Sequence, residues 1–490
     1  MNIVEQLYSV ASVSPERTAL AEYKKTYSYN DFISDINNTA ACLEQNGILF
    51  GDRVLLAVPV SYKLYVHFAA LLSLGAVIVI IDDWSSAKKI NNYLAGTHCK
   101  AVIVHPKYYL FSYLIKGLRK IPLKIQAKRR AGAEKPAVLF NAGDNHPALI
   151  TFTTGSTGKP KAAVRTHKVL NEQFRLLDEV FSFSQNTVLL SNLPIVTLLG
   201  FANGGTSVLP AKVNYRSKKG FTKVAKQIQD NRVNCLLGSP AYLLNLAEIL
   251  PLKSAGQIKK IGIGGAVVSP DQYKILRNAF PTAEINVVYG STEAEPISTC
   301  TTVEKALKKG VPVGKPVKGV QVRIIPMDYG PLNEMPGELP PDQVGEIIVT
   351  GPQVVNDYLE EEDIFKYNKI VEGHAIWHRT GDAGFKNENG DLFFSGRCKW
   401  LFTVNDELYS PLMYELLFEA SPEAIEGTAI ATDGRVHVFV VNRSWPDEAG
   451  LTRLLADNRL PCDEIRFVKG LPRDKRHHSK TNYELLKTMC

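Results

Sequence analysis

Across its 490 residues the sequence has no uninterrupted apolar run of the roughly 18 residues that a membrane-crossing helix needs. The longest candidate, Ala69 to Ile81, is too short and reads as a buried helix running into a strand. The first residues, Met1-Asn2-Ile3-Val4-Glu5-Gln6, lack a basic stretch followed by an apolar one, which argues against a secretory signal. Cysteine is sparse and scattered: Cys42, Cys99, Cys235, Cys300, Cys398, Cys462 and Cys490 form no CxxC pair and no zinc-ligand spacing with histidine. Free thiols, no structural metal and a cytoplasmic setting are therefore expected. Internal repeats, low-complexity tracts and long linkers are also missing, so neither a solenoid nor a disordered chain fits.

What is present is an ordinary globular balance, 45% hydrophobic and 22% charged, in a chain too long for one core. The net charge of +8 has a local origin. Eight Lys or Arg residues fall between Lys107 and Arg130 with no acid among them, and Tyr108, Leu110, Phe111, Tyr113 and Leu114 precede the densest part. The plain reading of this stretch is a solvated, variable connection. The alternative is a basic amphipathic surface for anionic lipid, an acidic carrier protein or nucleic acid. Nothing else in the chain suggests nucleic-acid binding.

Short β-branched runs alternate with helix-length stretches. Val54–Val58, Ala76–Ile81 and Ala101–Val104 open this rhythm, and Val233–Leu237, Lys260–Ile263 and Glu284–Val288 continue it. Strands spaced by helices imply parallel sheets with crossover helices. From about Val313 the pattern changes to shorter strands and hairpins, with Gly345–Val349 as one strand and Asn389-Gly390 as a tight turn before Leu392-Phe393-Phe394. Gly396-Arg397-Cys398-Lys399 opens a final segment small enough to be a mobile lid.

The most informative stretch runs from a strand at Ala148–Phe152 into Thr153, Thr154, Gly155, Ser156, Thr157, Gly158, Lys159, Pro160 and Lys161. Glycines let backbone amides approach phosphate oxygens, and hydroxyls and lysines add donors and charge, so this composition reads as a polyphosphate cradle. A Walker loop is excluded, because only Ser156 and Thr157 separate Gly155 from Gly158 and Pro160 follows Lys159. A dinucleotide fingerprint fails at Gly262-Ile263-Gly264-Gly265-Ala266-Val267, where valine stands in place of the last glycine.

Three further clusters follow in order: Tyr289-Gly290-Ser291-Thr292-Glu293, Arg379-Thr380-Gly381-Asp382, and Gly396-Arg397-Cys398-Lys399. Each alone could be a turn or a surface pair. Together with the glycine-rich loop, their order and spacing resemble the adenylate-forming superfamily of acyl-CoA synthetases, peptide-synthetase adenylation domains and luciferases. The resemblance runs from Pro15-Glu16-Arg17 to Lys480. It implies an α/β fold: a large N-terminal AMP-binding domain, 1–396, with two helix-covered sheets and a distorted β-barrel, and a small mobile α+β lid, 397–490.

The resemblance also implies roles. Thr153 to Lys161 would close over the ATP phosphates, with Thr157 among the catalytic groups. Gly264, Gly265 and Ala266 would pass beside adenine and substrate, and Tyr289, with Gly290, Ser291 and Thr292, would frame the adenine. Glu293 would hold Mg2+, Asp382 and Arg397 would bind the ribose, Lys399 would be the hinge, and Lys480 the catalytic lysine of a swinging loop. The implied reaction is ATP-dependent activation of a carboxylic acid to acyl-AMP, followed by transfer to a thiol of coenzyme A or a free-standing acyl carrier protein.

Several departures narrow this. Ser479 precedes Lys480, which follows Pro472 by eight positions through Arg476-His477-His478. That spelling, and Trp377-His378-Arg379-Thr380-Gly381-Asp382, resemble the β-lactone synthetases of olefin biosynthesis, which close a ring on a β-hydroxy acid without any thiol. Ala162 stands where the phosphate loop usually ends in glycine, and Asp406 where the loop after the hinge usually has one. Asp tolerates left-handed backbone, so that turn is expected to survive. Pro194 to Phe201 lacks the histidine or aromatic gate common in the fatty acyl ligases it resembles and the aspartate with which peptide-synthetase domains hold an α-ammonium, so an uncharged, largely apolar acyl group is expected. His167 is expected to be a helix-start residue, and His477 and His478 surface residues. A non-catalytic nucleotide-binding relative is the remaining alternative, opposed by the presence of Glu293, Asp382 and Lys480.

Overall fold

The computed structural model describes residues 2–81, 86–129, 139–154, 160–214, 217–303, 309–359, 362–421, 426–441, 448–473 and 480–490, with the backbone alone at 153, 154, 160, 362 and 363. The β-branched runs form two large sheets. The first orders seven strands as Asp357–Tyr358, Pro160–Thr166, Pro147–Thr154, Val77–Ile80, Arg53–Ala57, Ala101–Val104 and Leu123–Gln126. Its last five strands are parallel, and Pro147–Thr154 turns back antiparallel into Pro160–Thr166.

The second sheet has a parallel half made of Thr18–Glu22, Thr206–Leu209, Val188–Ser191, Cys235–Gly238, Lys260–Gly264 and Glu284–Ser291. Helices between the sheets explain why both bury two faces. In the helix Tyr62–Ser73 every residue but Lys63 is buried, as an element apolar on all sides must be. Its side chains share a core with Val54 and Ile78 of the first sheet and with Leu20 and Leu209 of the second.

The later hairpin pattern continues the second sheet. Ala294–Cys300, Val311–Pro316, Leu392–Arg397, Ala375–Lys386, Gly345–Thr350 and Gln321–Ile325 follow Glu284–Ser291 as antiparallel neighbours. The expected distorted barrel needs correcting here. Among the described residues these strands are an open run ending on Gln321–Ile325, with Lys369–Glu372 added beside Ala375–Lys386, and they close no barrel. Strand alternation in the sequence reveals pairing partners but not whether the last strand returns to the first.

The Asn389-Gly390 turn forms as its residues dictate. Gly390 has φ +75°, and its N–H donates to Asn387 O at 2.9 Å. Past Gly396 (φ +133°) the chain makes a short turn at Cys398–Trp400 and a hairpin of Phe402–Val404 with Glu407–Tyr409. Asn405 and Asp406 sit at φ +49° and +61° in that hairpin, so Asp406 does accommodate the left-handed turn. A three-stranded sheet, Gly427–Thr432, Arg435–Val441 and Glu464–Val468, then packs on the helices Pro411–Ala420 and Glu448–Asp457 through Tyr414, Phe418, Val438 and Leu451. No helix among the described residues is long and apolar enough to cross a membrane.

Candidate active site

Parallel strands end together at one sheet edge, which is where open α/β sheets bind ligands. Lys260–Gly264 and Glu284–Ser291 run in register with Gly264 opposite Val288, so Tyr289 projects just beyond the end of the neighbouring strand. Gly265 follows at φ +86°, and a Cβ built there meets nothing within 4 Å, which leaves open space beside Tyr289. The GxG of Gly262 serves packing instead: a Cβ on Gly262 would come within 2.0 Å of Leu237 and 2.5 Å of Phe181.

Tyr289, Asp382 and Arg397, separated by up to 108 positions, meet here. The Tyr289 hydroxyl donates to Asp382 Oδ2 at 2.8 Å. Arg397 Nη1 lies 3.1 Å from Asp382 Oδ1, but its hydrogen bond goes to Thr380 O, also at 3.1 Å. Asp382 Oδ1 is consequently a buried carboxylate oxygen with no hydrogen-bond partner among the described residues. Such a group is costly unless a ligand completes it. An adjacent pair of sugar hydroxyls is a suitable complement. Burial, reinforced by Asp382, holds the Tyr289 phenol well above its ordinary range, so it stays a donor at neutral pH.

The strand sequence explains how Asp382 is aimed. Gly381, at φ +67°, turns the chain within Ala375–Lys386, and Glu346 Oε1 accepts its N–H at 3.2 Å. Glu346 in turn is gripped by Arg379, with Nη2 2.6 Å and Nε 3.0 Å from Oε2. Both residues are buried, at 3% and 6% exposure, and Arg379 also donates to Gly330 O at 2.6 Å. Thr380 Oγ1 donates to Ile347 O at 2.7 Å and accepts from Asp382 N at 3.0 Å. Arg379 and Thr380 thus position the Asp382 carboxylate.

Glu293 lies in the turn after Glu284–Ser291. The turn is tight: Ser291 pairs with Ala294, and Arg165 donates to Thr292 O at 2.6 Å. The Glu293 side chain is buried beside two lysines. Lys161 contacts Asn368, and Lys369 donates to Val355 O. Burial pushes the Lys369 ammonium down to about 7, with Glu293 opposing the shift, and it lowers Lys161 in the same way. One carboxylate among lysines suits a site that receives phosphates and a hard divalent ion, which takes a single protein carboxylate and completes its shell with phosphate oxygens. His378, paired across the strands with Lys369, is also buried, which together with Lys369 holds it neutral.

The ends of the glycine-rich stretch lie on the paired strands Pro147–Thr154 and Pro160–Thr166, with Thr153 opposite Lys161 and Thr154 opposite Pro160. Gly155, Ser156, Thr157, Gly158 and Lys159 lie outside the described residues, as do His477 and His478. Leu359 N–H donates to Ala162 O at 2.9 Å and Val355 N–H to Glu293 O at 2.8 Å, so one segment ties the hairpin to the Glu293 turn. Lys480 is exposed, next to a bridge between Arg473 and Thr481, and half-buried Glu415 anchors Thr481 and Tyr483. Lys399 forms an ion pair with Glu484 of the helix Tyr483–Lys487. Lys480 therefore adjoins the C-terminal three-stranded sheet through its neighbour Thr481.

His167 begins the helix His167–Phe181 and is fully buried, accepting from Ile3 N–H at 3.2 Å; burial pushes it down to about 4. It is a helix-start residue, as expected. The segment 194–201 lines an apolar pocket of about 100 Å³ with Tyr65, Leu170, Phe174, Val196, Leu199 and Phe201 on its walls. Glu295 reaches the same pocket from the strand after the Glu293 turn. Inside, Gln173 Nε2 is buried with no hydrogen-bond partner among the described residues.

Sequence reasoning missed Lys369, Glu346 and Gln173. Glu346 left a signal, an acid inside the apolar strand Gly345–Thr350. Lys369 and Gln173 left none, since a lysine or glutamine near helix-like residues reads as surface.

The family model described as AMP-binding enzyme matches residues 7–359. An olefin β-lactone synthetase from Stenotrophomonas maltophilia is 28% identical, over 99% of this chain and 97% of its own length. An indoleacetate–CoA ligase from Aromatoleum aromaticum is 24% identical, over 96% of this chain and 95% of its own. The ATP-bound MatB structure from Rhodopseudomonas palustris shares the fold at TM-score 0.86 and 21% identity, over 100% of this chain and 98% of that one.

Proposed function

The chain belongs to the AMP-binding enzyme family of adenylate-forming ligases, and from that premise we propose that it activates an apolar carboxylic acid, carrying a β-hydroxyl, as its acyl-AMP. The observation that carries the nucleotide half of this reading is the buried Asp382 Oδ1, which faces Arg397 at 3.1 Å and accepts no hydrogen bond among the described residues. In this reading Asp382 accepts from the ribose hydroxyls while Tyr289 packs on the adenine over the open space at Gly265. Lys161 and the loop Thr153–Lys161 draw the phosphates toward Glu293. Glu293 would hold Mg2+, which offsets phosphate charge when bound.

The substrate carboxylate attacks the α-phosphorus, forming an acyl–oxygen–phosphorus bond as pyrophosphate leaves. Charge builds on the α-phosphate, and Lys480, carried in by rotation of the 397–490 unit about Lys399, is the mobile cation for that step. The pocket lined by Leu199 and Phe174 suits an apolar acyl chain, and Gln173 Nε2 suits a polar oxygen on it.

The second step is ring closure. The β-oxygen attacks the acyl carbon, AMP leaves with the bonding electrons, and the hydroxyl proton passes to solvent. Support comes from full-length similarity to two olefin β-lactone synthetases and from the resemblance of the Ser479-Lys480 spelling to that class of enzyme. Transfer to a thiol of coenzyme A or a carrier protein is the second reading, favoured by similarity to CoA ligases over most of the chain. Incubating the protein with ATP, magnesium and β-hydroxy or plain apolar acids, with and without coenzyme A, separates the two by mass spectrometry. A β-lactone formed without thiol supports ring closure. A thioester formed only with coenzyme A, and no lactone, overturns it.

A further inference from the structure

The basic stretch 107–129 is built unlike a solvated connection. One side is anchored: Ser112, Leu118 and Ile121 are buried, and Gly117 N–H donates to Asn91 Oδ1 at 2.7 Å. The other side presents large apolar groups to solvent. Leu110 is 76% exposed, Leu114 74%, Phe111 56%, Tyr108 50% and Tyr113 46%, on two short helical turns. Solvated segments turn charge outward and apolar groups inward, whereas here both face out together.

Along this stretch of chain the charge has one sign. Lys107, Lys116, Arg119, Lys120, Lys124, Lys128 and Arg129 follow one another with no acid between Lys107 and Arg129. Lys124 lies 5.0 Å from the Tyr113 ring centroid. A pocket of about 250 Å³ opens beside it, with Lys25, Lys63, His105, Arg129, Tyr27 and Glu22 among its walls. The acids near this face are partly spoken for: Asp35 is paired with Arg129 at 2.7 Å, and Glu22 accepts from Tyr62 N–H at 3.3 Å. Rings join tip and pocket: His105 stands 5.8 Å from Tyr108, and Tyr108 stands 6.4 Å from Phe111.

We propose that this face docks on an anionic phospholipid bilayer, with Leu110, Phe111 and Leu114 entering the acyl boundary and the lysines meeting lipid phosphates. Tyr108 and Tyr113 are the amphipathic rings that favour the headgroup level. The pocket between Lys25, Lys63 and Arg129 has the size and charge for one lipid phosphate. Apolar contact and positive charge on one face is the combination that interfacial binding needs, and charge alone would leave the five apolar side chains without a role.

Flotation of the full chain with phosphatidylcholine vesicles, with and without phosphatidylglycerol, tests this. Binding is expected only with the anionic lipid and should fall at high salt. Leu110→Ser with Leu114→Ser, and separately Lys116→Glu with Lys120→Glu, should each weaken it roughly tenfold or more. All four positions are exposed, so urea midpoints and carboxylate-dependent pyrophosphate exchange should stay at wild-type values. Absence of vesicle binding overturns the proposal, as does equal binding by the variants. Capture of an acidic carrier protein through the same lysines, without lipid binding, overturns it in favour of a protein partner.

Discussion

At the scale of single residues the account turns on Asp382 and Lys369. Asp382 Oδ1 is buried, ion-paired with Arg397 and accepts no hydrogen bond among the described residues, while Oδ2 accepts from Tyr289, so Asp382→Asn removes the charge facing Arg397 and offers a donor where an acceptor is needed. A lost hydrogen bond involving a charged group costs about 1.5–3 kcal/mol, so KM for ATP should rise roughly tenfold to a hundredfold with the fold retained. Isotope-exchange kinetics at varied ATP measures it directly. Lys369 carries a pH signature. Its ammonium is pushed down to about 7 in the folded chain and returns to its ordinary range when unfolded. Between those values the unfolded chain binds the extra proton, so this group makes stability rise with pH from about 7 upward. The slope is at most about 1.4 kcal/mol per pH unit for one proton. Urea midpoints between pH 7 and 9 should therefore show a steeper rise for the wild type than for Lys369→Met.

At the scale of elements the strand Ala375–Lys386 is the one whose sequence means most. Its Arg379 ties Glu346 across the sheet, and Glu346 fixes the Gly381 turn that aims Asp382. Arg379→Met leaves a buried carboxylate unpaired, at a cost of about 3–5 kcal/mol, and should lower the urea midpoint accordingly. Glu346→Gln with Arg379→Met should recover part of that loss, since no unpaired charge then remains. This role was only half legible. Arg379-Thr380-Gly381-Asp382 stood out in the sequence, but its arginine is a clamp, and the clamp's partner sits thirty-three positions earlier on a neighbouring strand. The alternation of β-branched runs with helices located seven of the parallel strands to within three residues, because burial on both faces demands continuous apolar runs, but left Thr18–Glu22, Leu123–Gln126, Val188–Ser191 and Thr206–Leu209 unread. The antiparallel half was legible as hairpins yet not as an open sheet, because local turn chemistry says nothing about closure. The buried lysines near Glu293 were hidden because their burial is created by strands far apart in the chain.

At the scale of the whole molecule the proposed nucleotide groups and the proposed catalytic lysine lie on different sheets. Tyr289, Asp382, Arg397 and Glu293 sit along one edge of the long sheet, while Lys480 rides on the small C-terminal sheet behind Lys399 and Glu484. We propose that the two are brought together by rotation near 396–399, which makes the lysine a participant in adenylation that the rest of the site can bind ATP without. The most direct measurement is carboxylate-dependent exchange of labelled pyrophosphate into ATP by the wild type and Lys480→Ala, with ATP binding followed separately by calorimetry. The account predicts exchange with an apolar acid, lost by roughly a hundredfold or more in Lys480→Ala while ATP affinity stays near the wild-type value. ATP binding without exchange for any acid, or exchange undiminished in Lys480→Ala, would contradict it.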